Sequence, residues 1–425
     1  MRPPPQPKDF YHYPVVSAVI LASVGITVAW WAKVDVSPLF ETAMIRRGEY
    51  WRLVTSMFPH VDALHLVFNV YWLWIFGALV EEVFGHVKTA ALILLFPAGS
   101  GAMEFAIADG GVGLSGVGYG LFGLLWILAA NDERFHDAVD QRTILLFVAW
   151  FLICIFATAA KIMQVANIAH GAGTLLGTLT GFAITRPRQR IVAIAGIAAF
   201  LAFGFWTSTL GRPRVNQSAS GGYEEAKWGY DALMADKDQE SLRWLRDAVT
   251  YQPKSGLFWN NLAIAQGRLK DYPAALADYR KAAELGEADA AYHLGSLYGN
   301  GQYGLTKDAA QALSWYIKAA EQGNTNAMNG AAWTYATSED PAIRNPAAAL
   351  DYARKAIKQE GENPEPGHLD TLAEAFYANA QYEDAVKTEE QAIELSDEDE
   401  KKDYQANLEK YRKALHGRKP KTGAE

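Results

Sequence analysis

The chain has one cysteine in 425 residues, Cys154. A single thiol excludes an intrachain disulfide framework and any cysteine-built metal site, and it fits either side of a membrane. The proline-rich first ten residues lack the basic-then-apolar layout of a cleaved signal peptide. The first apolar run is therefore expected to stay in place as a membrane span. Charge is scarce in the first half. Of the 47 acidic and 39 basic residues, 34 and 24 fall in residues 221–425, which leaves 13 and 15 for residues 1–220. A mean hydropathy of −0.06 therefore averages two unlike halves, one apolar and slightly basic, the other polar and acidic. The length is too great for one ordinary core.

The first half contains long apolar runs. A helix needs about 20 apolar residues to cross the hydrocarbon core, and seven segments are candidates: 14–32, 64–84, 89–108, 115–130, 143–160, 165–185 and 191–210. The fourth is short and reaches across only if it starts in a cavity near Ser115. Several tryptophans, Trp30, Trp31 and Trp206 among them, fall near segment ends, where indole rings prefer the interface. The strongest orientation cue is Arg186-Pro187-Arg188-Gln189-Arg190 after the sixth segment, which should be cytoplasmic. Met1 is then cytoplasmic, and the loop before Ser115 and the C-terminal half are extracytoplasmic. Arg46, Arg47, Arg52, Arg212 and Arg214 count against this orientation.

Strongly polar residues inside spans are costly and mark function by default. His65 and Asn69 are four apart, on one helix face. His170 lies among Ala169, Gly171, Ala172, Gly173 and Gly177, small residues that let another helix backbone come close. Gly113-Leu114-Ser115-Gly116 opens the fourth segment, with Tyr119 one turn on. Taken singly, each polar residue is better read as a packing group. Ser115 and His170 together read as chemistry. A serine nucleophile needs a base, and a neutral imidazole supplies one. Oxyanion charge needs placed donors, and the Ser115 backbone N–H, His65 and Asn69 are candidates. No carboxylate lies in the spans to orient His170, since Glu81, Glu82 and Glu104 fall near segment ends. The reading is a Ser–His dyad, with the imidazole oriented by packing against Tyr119.

These residues resemble the rhomboid family of intramembrane serine proteases, over roughly residues 49–181. Gly113-Leu114-Ser115-Gly116 is similar to the family's GxSG motif. Ala169-His170-Gly171-Ala172-Gly173 is similar to AHxxG. His60, His65 and Asn69 follow the HxxxxHxxxN pattern of the second helix. Trp51-Arg52 matches the pair in the family's first loop, and Glu81 with Gly85 matches a structural turn after the second helix. Position 112 is Val where some members carry glycine. The resemblance implies a six-helix core, here extended by a seventh span. It also implies that Ser115 is the nucleophile, His170 the base, His65 and Asn69 the lining of the oxyanion hole and Tyr119 the ring stacked on the histidine. The implied reaction is cleavage of transmembrane protein substrates in the lipid bilayer.

The second half repeats. Lys281-Ala-Ala-Glu-Leu-Gly286 recurs as Lys318-Ala-Ala-Glu-Gln-Gly323, and more loosely at Lys355, a 37-residue period typical of a solenoid. Residues 259–286 resemble a tetratricopeptide repeat and 291–323 the related Sel1-type repeat. Residues 368–395 resemble another repeat, 223–253 a degenerate first one, and 401–416 a capping helix. Such arrays bind proteins or peptides along a groove. The tryptophans and tyrosines here read as inter-helix core, and the isolated His293 and His368 receive no metal role.

The expected fold is all-α: a polytopic membrane bundle followed by a soluble α-solenoid. Its parts are a cytoplasmic segment 1–13, a core 14–185, a loop and seventh helix 186–211, a linker 212–222, a solenoid 223–416 and a disordered tail 417–425. The expected function is a bacterial inner-membrane serine endopeptidase whose repeats recruit or regulate protein substrates. No cofactor, metal or nucleic-acid partner is expected. The alternative is a non-catalytic membrane scaffold for transmembrane clients. A transporter is weaker, because no charge-lined path runs through the spans.

Overall fold

The computed structural model describes residues 5–417; of the expected tail 417–425, Gly417 ends the last helix and residues 418–425 lie outside the described residues. Among the described residues the secondary structure is helical throughout, with no strand. The chain forms two compact units, Met1–Glu224 and Glu225–Glu425.

All seven apolar segments of the first unit are helices. They are α1 (Pro14–Trp31), α2 (Ala63–Phe84, with a π turn at Leu73–Gly77), α3 (His86–Ile107), α4 (Ser115–Ala129), α5 (Gln141–Ala159), α6 (Asn167–Thr185) and α7 (Arg190–Ser208). Five helical stretches are long and apolar enough to cross a membrane: α1, α2, α3, α5 and Pro187–Ser208, which includes α7. α6 is rich in glycine and threonine, and Thr174, Thr180 and Thr185 turn their hydroxyls back onto carbonyls one turn earlier. α4 has 15 residues, which rise only about 22 Å against a hydrocarbon core of about 30 Å.

Local chemistry sets the helix ends. The buried Glu81 carboxylate accepts from the N–H groups of Val15 and Val16, each at 3.0 Å, and so caps α1 from the far end of α2. Gly85, at φ +80°, then makes the sharp turn into α3. The Asp62 side chain caps α2 by accepting from the His65 N–H at 2.8 Å. Asp140 caps α5 in the same way through Thr143.

α4 is the central helix: Leu121, Leu124, Leu125 and Leu128 are fully buried. It meets α6 backbone to backbone. Gly116 and Gly120 on α4 face Gly173 and Gly177 on α6, and a Cβ on either α6 glycine would fall inside 3.0 Å of the α4 backbone. Four-residue glycine spacing on two helices is what permits this approach. α5 and α7 instead expose Leu145, Leu152, Phe156, Ile191 and Val192, as lipid-facing helices do.

The chain after α7 is not a free tether. Buried Arg212 lies with its guanidinium 4.0 Å from the Phe105 ring centre and donates to the carbonyls of Phe105 and Ala108. Asn216 donates to the Ala108 carbonyl, the Gln217 N–H to that of Ile107, and Ser220 to the Asp109 carboxylate. The stretch read as a short polar linker is stitched to the C-terminal end of α3, because that end has carbonyls without helical partners.

The second unit consists of eleven helices among its described residues: α8 (Tyr223–Met234), α9 (Asp238–Tyr251), α10 (Gly256–Arg268), α11 (Tyr272–Glu284), α12 (Ala288–Asn300), α13 (Ala309–Ala320), α14 (Thr325–Thr337), α15 (Pro346–Glu360), α16 (Pro366–Ala378), α17 (Tyr382–Leu395) and α18 (Lys401–Gly417). Large residues pack into small ones. The Tyr316 ring lies over Gly295 and Gly330, and Tyr303 lies over Gly267. α18 closes the array: buried Tyr411 donates to Glu374 at 2.7 Å and Asn407 to Asp370 at 2.8 Å. His368 is buried and pairs with Glu360 at 2.6 Å, with Glu365 nearby. His293 packs against Tyr279 and Tyr292.

Candidate active site

Ser115 is the first residue of α4, where the N–H groups of an opening turn have no intrahelical partners. The loop before it is anchored on the segment between α1 and α2 by three backbone N–H groups. The Gly111 N–H donates to Glu41 Oε2 at 2.8 Å, the Gly113 N–H to the Ser56 carbonyl at 2.8 Å, and the Leu114 N–H to His60 Nε2 at 3.2 Å. Gly113 has φ +105°, a conformation that favours glycine, and His60 and His65 leave no room there for a Cβ.

His60 is fully buried. Its Nδ1 lies 2.9 Å from the Phe58 carbonyl, so Nδ1 carries the proton and Nε2 accepts from Leu114. Burial, helped by the neighbouring His65, lowers its pKa to about 4, and it stays neutral. His60 thus supports the loop. Its ring meets that of His65 edge-on at 4.8 Å.

Arg52 organises the same segment. It is buried, donates to the Ser37 and Phe40 carbonyls and pairs with Glu49. Trp51 beside it is exposed.

His170 lies one turn into α6 and is 3% exposed. The Gly116–Gly173 contact sets its helix against the start of α4. The Tyr119 ring stacks on the imidazole at 4.4 Å and 18°. Tyr119 is itself held by its hydroxyl donating to the Phe147 carbonyl at 3.2 Å. His170 Nδ1 is buried with no hydrogen-bond partner among the described residues, and so is Asn69 Nδ2. An orphaned buried polar atom is uncommon, and two of them lie on predicted site residues. Ser115, the Gly111–Gly113 loop, Ser100 and Glu104 of α3 and Ala169 of α6 line one cavity of about 20 Å³, room for about one water.

Sequence reasoning missed three contributors: Glu41, Ser56 and Glu104. Glu104 Oε2 accepts from the Ala169 N–H at 2.9 Å, next to His170. An ionisable residue within an apolar run was the available signal for Glu104. Glu41 and Ser56 lie in an irregular segment that offers no pattern.

The fold and this site define a polytopic helical membrane protein with a serine and a histidine on two glycine-locked helices. The comparisons show which known domains the two parts of the chain resemble. Residues 47–187 match the rhomboid domain, and residues 260–287, 288–324 and 325–360 match Sel1 repeats. The chain thus carries a rhomboid domain followed by Sel1 repeats. The segment read as a tetratricopeptide repeat, 259–286, coincides with the first Sel1 match. The chain is similar to the rhomboid protease GlpG of Yersinia pseudotuberculosis, 31% identical over 146 residues, which cover 34% of this chain and 51% of that protein. It is also similar to GlpG of Salmonella paratyphi A, 28% identical over 177 residues, 40% of this chain and 63% of the other. The chain thus spans about half the length of the first of these relatives. Among solved structures, a Sel1 repeat protein from Oxalobacter formigenes is 20% identical with a TM-score of 0.31, covering 55% of this chain and 98% of that one.

Proposed function

We propose that the chain is an intramembrane serine endopeptidase that cleaves transmembrane protein substrates. The observation that carries this reading is the placement of Ser115 and His170 at the same end of the α4–α6 glycine seam, beside the Gly116–Gly173 contact, with Tyr119 stacked on the imidazole. Ser115 Oγ attacks the scissile carbonyl carbon and passes its proton to His170 Nε2. The oxyanion forms against the Ser115 N–H, His65 and the unpartnered Asn69 Nδ2. The imidazolium protonates the leaving amine, and water then hydrolyses the acyl-enzyme with His170 again as base. Gly113 keeps the loop in the shape this requires.

The shortness of α4 supports entry of water, since Ser115 then begins below the membrane surface. For orientation, we place the exposed Arg186, Arg188 and Arg190 in the cytoplasm. Of the arginines that counted against this, Arg46, Arg52 and Arg212 are buried and donate to backbone carbonyls, so they do not report on a membrane face. The N-terminus is then cytoplasmic and the chain beyond α7 extracytoplasmic, in a bacterial inner membrane. The Sel1 repeats recruit or regulate protein substrates.

The test is cleavage of a fluorogenic transmembrane peptide by the purified full chain in proteoliposomes. Wild type is expected to cleave, and Ser115→Ala and His170→Ala are expected not to. A folded wild type that binds the peptide without cleaving it would favour the scaffold reading.

A further inference from the structure

Two carboxylates beside Ser115 have no role in the chemistry just described, and both are buried where burial is costly. Glu41, from the segment between α1 and α2, is 7% exposed, and Glu104, on α3, is 5% exposed. Among the described residues neither pairs with an arginine, lysine or histidine. Arg46, close to Glu41 in sequence, turns instead to the Thr209 carbonyl at 3.1 Å. A buried carboxylate without a cation is kept only where something else holds it.

What holds them is the backbone of the site. Glu41 Oε2 accepts from the Gly111 N–H at 2.8 Å, four residues before Ser115, and Glu41 Oε1 accepts from Ser56 Oγ at 2.9 Å. Glu104 accepts from the Ala169 N–H at 2.9 Å, one residue before His170. The packing around them is closed. A Cβ at Gly110 would lie 2.6 Å from the Glu41 Cβ, and one at Gly101 would collide with the Glu41 carboxylate. A Cβ at Gly111 would lie 2.9 Å from the Ala166 Cβ and 3.5 Å from the Glu104 Cγ. Gly111 is therefore the shared contact, bonded to one carboxylate and seated against the other. Both carboxylates line the cavity that reaches Ser115.

We infer that Glu41 and Glu104 are positioning residues: Glu41 fixes the loop that delivers Ser115, Glu104 fixes the helix start that delivers His170, and the two meet across Gly111. The inference rests on the protease reading above. Glu104 is the titratable group that faces Glu41. Burial pushes the Glu41 carboxyl up to about 8, against the opposing effect of its Gly111 and Ser56 donors, and Glu104 pushes in the same direction as burial. Glu41 is therefore neutral at pH 7. As pH rises through its folded pKa it gains a charge facing Glu104, and the two halves of the site are driven apart. The raised folded pKa means that the folded state holds this proton where the unfolded chain has lost it, so stability and alignment fall with rising pH.

The test uses the full chain in proteoliposomes with the same transmembrane peptide. Glu41→Leu removes the acceptor and is expected to lower kcat by at least about tenfold while KM stays within about twofold. Glu41→Gln keeps an acceptor for Gly111 and cannot ionise. It is expected to hold kcat within about threefold at pH 7 and to lose the fall in rate that wild type shows between about pH 7 and 9. Ser56→Ala, a milder change that removes one donor, is expected to move that fall to higher pH. It serves as the deciding variant if Glu41→Leu does not fold, as judged by its melting temperature.

A folded Glu41→Leu with wild-type kcat overturns the inference. So does a Gln variant with the same alkaline fall as wild type, or a Ser56→Ala profile that does not move. In each of these cases wild type still cleaves and Ser115→Ala does not, so the protease reading stands. A wild type that cleaves nothing overturns both.

Discussion

Replacing Gly173 by alanine should disable the site while leaving the protein folded. The added Cβ would fall inside 3.0 Å of the Gly116 carbonyl oxygen, a backbone atom that cannot swing away. Ordinary contact begins at 3.4 Å, so α4 and α6 must separate by about 1 Å, an overpacking that typically costs about 1–3 kcal/mol. Alanine recovers about 1 kcal/mol through its better helix propensity, leaving a net loss of about 0–2 kcal/mol. The same separation moves His170 away from Ser115, and a misplacement of about 1 Å can cost about a hundredfold in rate. The expected result is kcat for the transmembrane peptide reduced about a hundredfold, with a melting temperature close to wild type. Gly118→Ala is the control: it lies on the same helix as Gly116, and its Cβ would meet nothing within 4 Å. It should keep full activity and gain slightly in stability. Wild-type kcat in Gly173→Ala, or an equal loss in Gly118→Ala, would refute the reasoning.

Asn69→Leu keeps the side-chain volume and removes the orphaned donor. It should lower kcat about 10²–10³-fold with little change in KM, measured by steady-state cleavage. In the solenoid, Glu389 is fully buried, and burial followed by the neighbouring Asp370 holds its carboxyl well above the usual range. The folded state keeps that proton after the unfolded chain has lost it, so stability should fall as pH rises above the ordinary carboxylate range. Glu389→Gln should remove that fall, read as the melting temperature of the repeat unit at acidic and alkaline pH; an unchanged pH dependence would count against it. If the repeats recruit substrate, deleting residues 225–425 should slow cleavage of a physiological substrate more than that of a generic peptide. Equal effects on both would count against recruitment.

The parts of the candidate site that follow a helical period were legible in the sequence. Ser115 and Tyr119 share one face, His65 and Asn69 another, and the glycines flanking His170 announce a close helix contact. The repeats were legible for the same reason, since a 37-residue period needs only self-similarity. Glu41, Ser56 and Glu104 were not, because their partners lie 70, 15 and 65 residues away. Nothing in the local pattern of residues 33–62 says which side chain will turn toward Gly111. Arg212 and Asn216 were read as part of a polar linker because composition reports polarity and not the carbonyls those side chains will find at the end of α3. Arg46, Arg52 and Arg212 entered the loop-charge count for a related reason: a buried arginine satisfied by carbonyls has the same letter as one facing a membrane surface.

The central claim is that Ser115 is an activated nucleophile. Labelling of the full chain in membranes with a fluorophosphonate, followed by peptide mapping, tests it most directly. The account predicts a phosphonylated Ser115 in wild type, no label in Ser115→Ala and greatly slowed labelling in His170→Ala. A folded wild type that stays unlabelled, or label that persists in Ser115→Ala, would contradict it.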